Sequence, residues 1–200
     1  MKDRMKNKVQ RAKRGRHSKD KPVIALKARN YLIDFGARLA ILLLFSVNSL
    51  ALFYAVFTPL TVLLSSFLIS LFYPMLVEGN VFYINSYVIE LINACIAGSA
   101  YYLLLILNLL TKGISISDRI KIFLFTSLAF LLVNVLRIMI LIVILVQYGL
   151  DLFNKVHITF WILGSTIIVV GIWILTVKIF RVKGVPIYSD LKEVFRIIKK

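Results

Sequence analysis

Long apolar runs separated by short polar segments dominate the chain. Three runs contain no charged residue, at 39–77, 91–111 and 158–177, and residues 122–150 contain only Arg137. A helix that crosses a membrane needs about 20 apolar residues at about 1.5 Å of rise each. The pattern therefore predicts an all-α polytopic membrane protein.

About five hydrophobic helices are expected. The first apolar block, Tyr31–Val77, is interrupted by Pro59 within Phe57–Leu60, and because proline disrupts the helix hydrogen-bond ladder this predicts a turn between two helices, or a kink. The remaining helices are predicted at Leu91–Leu110, Ile120–Tyr148 and Ile158–Phe180, joined by the polar connector 111–119 and by the segment 149–155.

The segment near 78–90 has a different pattern. Gly79 and Asn80 are followed by β-formers such as Val81, Phe82 and Tyr83. A Gly-Asn pair beside alternating apolar residues favours a tight turn. We expect a short extended or hairpin segment here, outside the hydrocarbon.

Charge refines the domain organisation. The chain carries a net charge of +16, and residues 1–30 contain twelve Lys and Arg against two Asp, while residues 178–200 contain seven against two acids. Basic residues that flank membrane spans hold those ends in the cytoplasm. We predict a basic cytoplasmic tail at 1–30, a single transmembrane domain at 31–180, and a basic interfacial or cytoplasmic tail at 181–200.

Loop charges predict the orientation. The connector around Lys112, Arg119 and Lys121 is basic, whereas 78–90 has two Glu and no Lys or Arg. The connector and both termini are thus expected in the cytoplasm, which requires an even number of crossings. Five hydrophobic segments conflict with this, so either Tyr31–Val77 crosses once, with part of it re-entrant or interfacial, or the N-terminus faces outward.

Three isolated polar residues interrupt the apolar runs. Cys95 is the single cysteine, Arg137 is the single charge between Lys121 and Asp151, and His157 is the one histidine outside the basic tail. Counting helical residues from the nearest basic residue on the predicted cytoplasmic side places Cys95, Arg137 and His157 about 25, 24 and 31 Å above the cytoplasmic boundary of the membrane. Three helices are therefore predicted to present them at similar depth on the outer side.

Each residue also has an ordinary explanation. Cys95 fits a small buried hydrophobe, Arg137 fits a side chain that reaches the outer headgroups, and His157 fits an interfacial cap. Against these, an intramembrane charge costs at least about 2.5–3.5 kcal/mol and usually marks function.

Together, a thiol, a guanidinium and an imidazole are the side-chain groups that an acyl-transfer reaction needs. Cys95 would be the nucleophile, His157 the general acid/base, and Arg137 the oxyanion stabiliser, braced by Asn134 three residues earlier on the same helix face. Small residues around Cys95, from Ala94 to Ala100, permit close helix contact or space for a substrate backbone. With no second cysteine, no paired histidines and no intramembrane carboxylate, we predict no metal and no cofactor.

Three segments with their context resemble the exosortase/archaeosortase family. They are EGNVFYINSYVIELINACIAGSAYYLLL, FLLVNVLRIMILIVIL and HITFWILG, which together cover about residues 78–165. The family's proposed active site has a Cys after an extracytoplasmic segment, an Arg in an N-x-x-R-I motif, and a His before a Gly. These match Cys95, Asn134 to Ile138, and His157 ahead of Gly164. The Cys-Ile-Ala-Gly sequence looks like the archaeal branch, in a short member that lacks the additional N-terminal spans of many others.

The resemblance implies a membrane-embedded cysteine transpeptidase-like sorting enzyme. It would cleave C-terminal sorting segments of secreted or surface proteins and transfer them to an acceptor, expected to be a membrane lipid amine. Its site would face the extracytoplasmic side of the plasma membrane, within a catalytic domain at 31–180, and nucleic acid is not an expected partner.

The alternative is a noncatalytic assembly factor or small transporter component in which Arg137 contacts lipid or a partner.

Overall fold

The computed structural model describes residues 33–46, 50–111, 113–161 and 165–182, together with Arg29. The predicted basic tails therefore lie outside the described residues, apart from Arg29, Arg181 and Val182. The described chain is mostly helical and carries one small antiparallel sheet. The predicted fold class is confirmed.

The helices follow the apolar runs. Their bounds are α1 at 33–46, α2 at Ala51–Ser70, α3 at Asn93–Ile96, α4 at Gly98–Leu110, α5 at Ile116–Thr159 and α6 at Ser165–Ile179. Three described stretches are long and apolar enough to span a membrane, namely Ala51–Ser70, Asn93–Leu110 and Ile116–Thr159, and a shorter apolar helix covers Thr166–Ile179. The chain is a multi-pass membrane protein.

The first helix boundary differs from the prediction. The predicted turn between two helices does not fall at Phe57–Leu60, because α2 continues through Pro59. It lies before Ala51, where Leu50 takes the left-handed conformation with φ of 63°. Membrane helices tolerate an internal proline because neighbouring groups satisfy the freed carbonyl.

The predicted hairpin is a three-stranded sheet. Strands β1 (Met75–Glu78), β2 (Val81–Ile84) and β3 (Tyr87–Glu90) pair antiparallel in the order β1-β2-β3. Two-residue loops join them, and Gly79 and Asn85 supply the positive φ values of 61° and 51° that such tight loops require. The sheet begins at Met75, so the end of the apolar block Tyr31–Val77 is a strand and not part of a helix.

The sheet covers one end of the helix bundle. Phe82 and Ile84 are fully buried and belong to one apolar cluster with Ile69 of α2 and with Ile138 and Ile142 of α5. We call this end of the bundle the sheet end. The opposite end, where residues 113–115 join α4 to α5, is the connector end.

Helices α4 and α5 run antiparallel. At the connector end, the Asn108 Nδ2 donates to the Arg119 carbonyl at 2.7 Å, and Arg119 returns donors to the last carbonyls of α4, including that of Thr111 at 2.7 Å. In mid-bundle Tyr101 of α4 packs edge-to-face on Phe130 of α5, with ring centroids 4.9 Å apart. The carbonyls at the C-terminal end of α4, which have no partner within the helix, are thus satisfied by a side chain.

Helices α1 and α2 run in the same direction, one after the other. Near the connector end Arg38 of α1 donates to the Leu109 carbonyl at 3.5 Å, and one turn later the Leu42 carbonyl accepts from the Tyr102 hydroxyl at 3.0 Å. Phe53, near the start of α2, also packs on Tyr102, with centroids 6.0 Å apart. Helix α1 therefore covers the connector half of the bundle.

Helix α2 continues from this level to the sheet end. Just beyond it, Tyr73 accepts a hydrogen bond through its hydroxyl from Gln147, near the end of the straight part of α5. The described contacts therefore agree with the first of the two topological alternatives, in which the block Tyr31–Val77 traverses the bundle once.

Helix α5 is broken at Gly149. Its φ of 80° and ψ of −178° belong to a region that is essentially restricted to glycine. The predicted end of the fourth helix at Tyr148 coincides with this break. The next segment, however, is helical rather than a connector, and Lys155 pairs with Asp151 at 2.8 Å across one turn of it.

We expect Gly149→Ala to lower the free energy of unfolding by about 1–3 kcal/mol, because alanine is strained in this conformation. Gly171→Ala is the matched control, since a Cβ meets nothing within 4 Å at either glycine and only Gly149 has a positive φ. Gly171→Ala, inside α6, should be neutral or stabilising by up to about 1 kcal/mol. Thermal unfolding in detergent measures both, and equal midpoints would contradict the expectation.

Candidate active site

Cys95 lies on a single helical turn between the sheet and a membrane helix. Helix α3 begins three residues after β3, and the Cys95 N–H donates to the Ile92 carbonyl at 2.8 Å. The turn ends at Ala97, whose φ of 57° and ψ of 47° are left-handed. A non-glycine residue in this conformation costs about 1–2 kcal/mol, so the surrounding structure must hold it there.

The break at Ala97 leaves the Cys95 carbonyl without its regular helical donor, and α5 supplies two others. Asn134 Nδ2 donates to this oxygen at 2.9 Å and Arg137 Nη2 donates at 3.3 Å. Both side chains are buried, with exposed fractions of 2% and 6%. Asn134 and Arg137, which were predicted to lie on one face of the helix, thus both donate hydrogen bonds to the same carbonyl.

The contact defines the environment of Arg137. Its guanidinium is directed to the protein's own backbone, so the headgroup-reaching alternative does not describe this structure. The guanidinium charge also acts electrostatically on the Cys95 thiol. Cys95 and Arg137, predicted at the same depth, are brought together.

His157 lies in the last turn of α5, not near the start of the following helix as predicted. Its ring packs on Phe153, with centroids 5.3 Å apart, and its imidazole interacts electrostatically with Arg137. In one straight helix these residues would be about 30 Å apart. The break at Gly149 redirects the end of α5, and this brings His157 within range of Arg137.

A cavity of about 520 Å³ opens beside α3. Its lining includes four small residues that neighbour Cys95 in the chain, Ala94, Ala97, Ser99 and Ala100, and three larger ones, Tyr54, Leu103 and Trp161. The side chains of Cys95, Arg137 and His157 do not line it. Gly98 has another role, because a Cβ there would lie 2.8 Å from atoms of the Tyr54 ring. The small-residue segment thus provides both space and close helix contact.

Several features of this site were not predicted. The sequence does not distinguish Tyr54 or Trp161 from the other aromatic residues of their runs, although Trp161 lies in the segment HITFWILG that drew attention to His157. The left-handed Ala97 carries no sequence pattern of its own. Among the described residues, no three His, Cys, Asp or Glu side chains come together as metal ligands would.

Comparison with known proteins found no matching family model, no matching curated protein and no matching solved structure.

We expect Ala97→Gly to raise the free energy of unfolding by up to about 1 kcal/mol, because glycine adopts the left-handed conformation without a Cβ penalty. The same change at Ala100, a buried residue of α4, should lower it by about 1 kcal/mol. Opposite signs in thermal unfolding are the expected outcome. A loss of stability in both variants would mean that Ala97 is not held in a strained conformation.

Proposed function

We propose that the protein is a membrane-embedded cysteine transpeptidase that cleaves C-terminal sorting segments of secreted proteins and transfers them to a lipid amine. The observation that supports this most is the pair of hydrogen bonds from Asn134 and Arg137 to the Cys95 carbonyl. The pair links the backbone of the residue that carries the free thiol to a buried guanidinium, and His157 interacts electrostatically with that guanidinium. The resemblance to exosortases and archaeosortases rests on the same residues and is part of the proposal.

In the first step Cys95 attacks a backbone carbonyl of the sorting segment. The sulfur forms a bond to the carbonyl carbon, and the thiol proton passes to His157. The oxygen becomes an oxyanion next to Arg137. A guanidinium carries five N–H donors, so one that bonds the Cys95 carbonyl can serve a second acceptor beside the thiol.

The second step releases the C-terminal fragment. The tetrahedral intermediate collapses, the carbon–nitrogen bond breaks, and the imidazolium of His157 protonates the departing amine. A thioester to Cys95 remains. An acceptor amine then attacks the thioester carbon, the carbon–sulfur bond breaks as the amide forms, and His157 passes the proton of the amine to the Cys95 sulfur, which regenerates the thiol. The cavity beside α3 has the size of a small-ligand site and provides room for a reactant.

The position of the site agrees with this chemistry. Cys95 lies at the sheet end of the bundle, next to the acidic sheet segment and away from the basic connector. With basic residues held in the cytoplasm, the site would face the extracytoplasmic side of the plasma membrane, where secreted proteins arrive. The single traverse by α1 and α2 is compatible with both termini in the cytoplasm.

The noncatalytic alternative assigns Arg137 to lipid or to a partner. Its 6% exposure and its bond to the Cys95 carbonyl favour an internal role. In that alternative the thiol itself has no chemical task, which makes Cys95 the residue to test.

We expect Cys95→Ala to abolish processing of the secreted polypeptides that the enzyme acts on, and Cys95→Ser to slow it by at least about 10³-fold. Alanine replaces a small side chain by a smaller one, so the fold should be retained. Ser66→Ala, a change at a partly exposed serine of α2 whose hydroxyl bonds within its own helix, is the control. Mass analysis of C-termini from cells that express each variant at equal levels measures the effect, and wild-type processing by Cys95→Ala would refute the proposal.

Alkylation of Cys95 by a membrane-impermeant thiol reagent should depend on the charge at Arg137. A nearby positive charge favours the reactive thiolate, so Arg137→Gln should lower the alkylation rate about tenfold, whereas Arg137→Lys should retain most of it. Lys155→Gln, which removes an exposed charge from the second part of α5, is the control. Equal rates for the Gln and Lys variants would mean that the guanidinium does not activate the thiol.

A further inference from the structure

Strand β3 has an open edge. Among the described residues β3 pairs only with β2. The Leu91 N–H donates to the Asn80 carbonyl at 2.9 Å, in register with this pairing. Because bonded and non-bonded pairs alternate along an antiparallel ladder, Ile89 also bonds to β2. Val88 and Glu90 therefore direct their backbone N–H and C=O groups away from the sheet, towards the open edge.

An exposed apolar row leads to this edge. Leu76, Tyr83 and Val88 are in register across the three strands, with exposed fractions of 73%, 38% and 68%, and we call them the outer row. The adjacent row on the same face ends at the exposed carboxylate of Glu90. A strand added at about 4.8 Å would place one side chain beside Val88 and another beside Glu90. An apolar residue suits the first position and a basic residue the second.

The open edge of β3 lies only a few residues along the chain from Cys95 and from the cavity. Glu90 is five residues before Cys95, which is at most about 17 Å of extended chain. The cavity wall begins between them, at Asn93 and Ala94. A peptide that leaves the edge in the direction of α3 thus reaches the site within about five residues.

We propose that the substrate of the transfer reaction binds as an additional strand on the open edge of β3, with an apolar residue beside Val88 and a basic residue beside Glu90, and that its continuation carries the reacting carbonyl to Cys95. This inference rests on the proposed function. An extended peptide suits the edge better than lipid does, because the unpaired backbone groups need hydrogen-bond partners that acyl chains lack.

A proline at the edge tests the proposal. The probe is the set of polypeptides that accumulate unprocessed in cells with Cys95→Ala. Val88→Pro removes an N–H that points away from the sheet, a position where edge strands accept proline. The matched control is Val77→Pro on β1, at the opposite edge of the sheet. The pair Glu78–Val81 closes the Gly79-Asn80 loop and is hydrogen-bonded, so the backbone N–H of the preceding residue, Val77, points away from the sheet. We expect Val88→Pro to slow processing at least tenfold and Val77→Pro to change it less than twofold.

A second pair of variants covers the case in which proline disturbs the sheet. Val88→Lys places a charge at the open edge, and Leu76→Lys places the same charge at the other end of the outer row. We expect only Val88→Lys to impair processing, at wild-type protein levels in the membrane fraction. Equal impairment by both would assign the outer row to lipid. A shift of the purified protein from dimer to monomer with Val88→Lys would assign the edge to a second copy. Either result would overturn the inference.

Failure of this inference is distinct from failure of the proposed function. If Cys95→Ala abolishes processing while both Val88 variants act at the wild-type rate, strand addition is wrong and the transferase proposal stands. If Cys95→Ala leaves processing unchanged, no substrate exists for the edge and both are wrong.

Discussion

A break in a membrane helix exposes a backbone carbonyl that hydrocarbon cannot satisfy, and at Cys95 this need organises the site. The left-handed Ala97 ends α3 after one turn, and Asn134 and Arg137 supply the missing donors from α5. An intramembrane arginine is costly unless its N–H groups are engaged. The strained turn and the buried charge therefore stabilise each other, and their contact sets the position of the thiol.

Two further elements depend on this contact. The sheet packs over the same end of the bundle through Phe82 and Ile84, and β3 continues into the turn that carries Cys95. On the other side, the break at Gly149 turns the end of α5 so that His157 interacts with Arg137. The segment that carries the thiol and the redirected end of α5 that carries the imidazole thus both interact with Arg137. A cavity lies beside α3, and its lining includes small side chains that neighbour Cys95 in the chain.

Polar residues also explain how α4 and α5 stay in register. Asn108 and Arg119 exchange hydrogen bonds at the connector end, where Arg119 satisfies the last carbonyls of α4. Between the two ends the helices contact through Tyr101 and Phe130. With polar contacts at both ends and apolar packing between them, sliding one helix along the other would break hydrogen bonds that the membrane interior cannot replace. This pairing keeps Arg137 opposite Cys95.

Charge-free runs and helical rise translate directly into spans and heights. The amino-acid sequence was therefore enough to predict the membrane class, most of the helix bounds and a similar depth for Cys95 and Arg137, which the fold brings together through the Cys95 carbonyl. It also indicated an interruption of the helix after Tyr148, predicted as a helix end, and the turn at Gly79. It could not decide that α2 passes through Pro59, that residues 150–159 are helical, or that the first apolar block traverses once, since neighbouring helices override local preferences. The bonds from Asn134 and Arg137 to one carbonyl became visible only in the packed fold. That carbonyl lacks a partner because Ala97 is left-handed, and no pattern of residue types records a backbone angle that distant contacts impose.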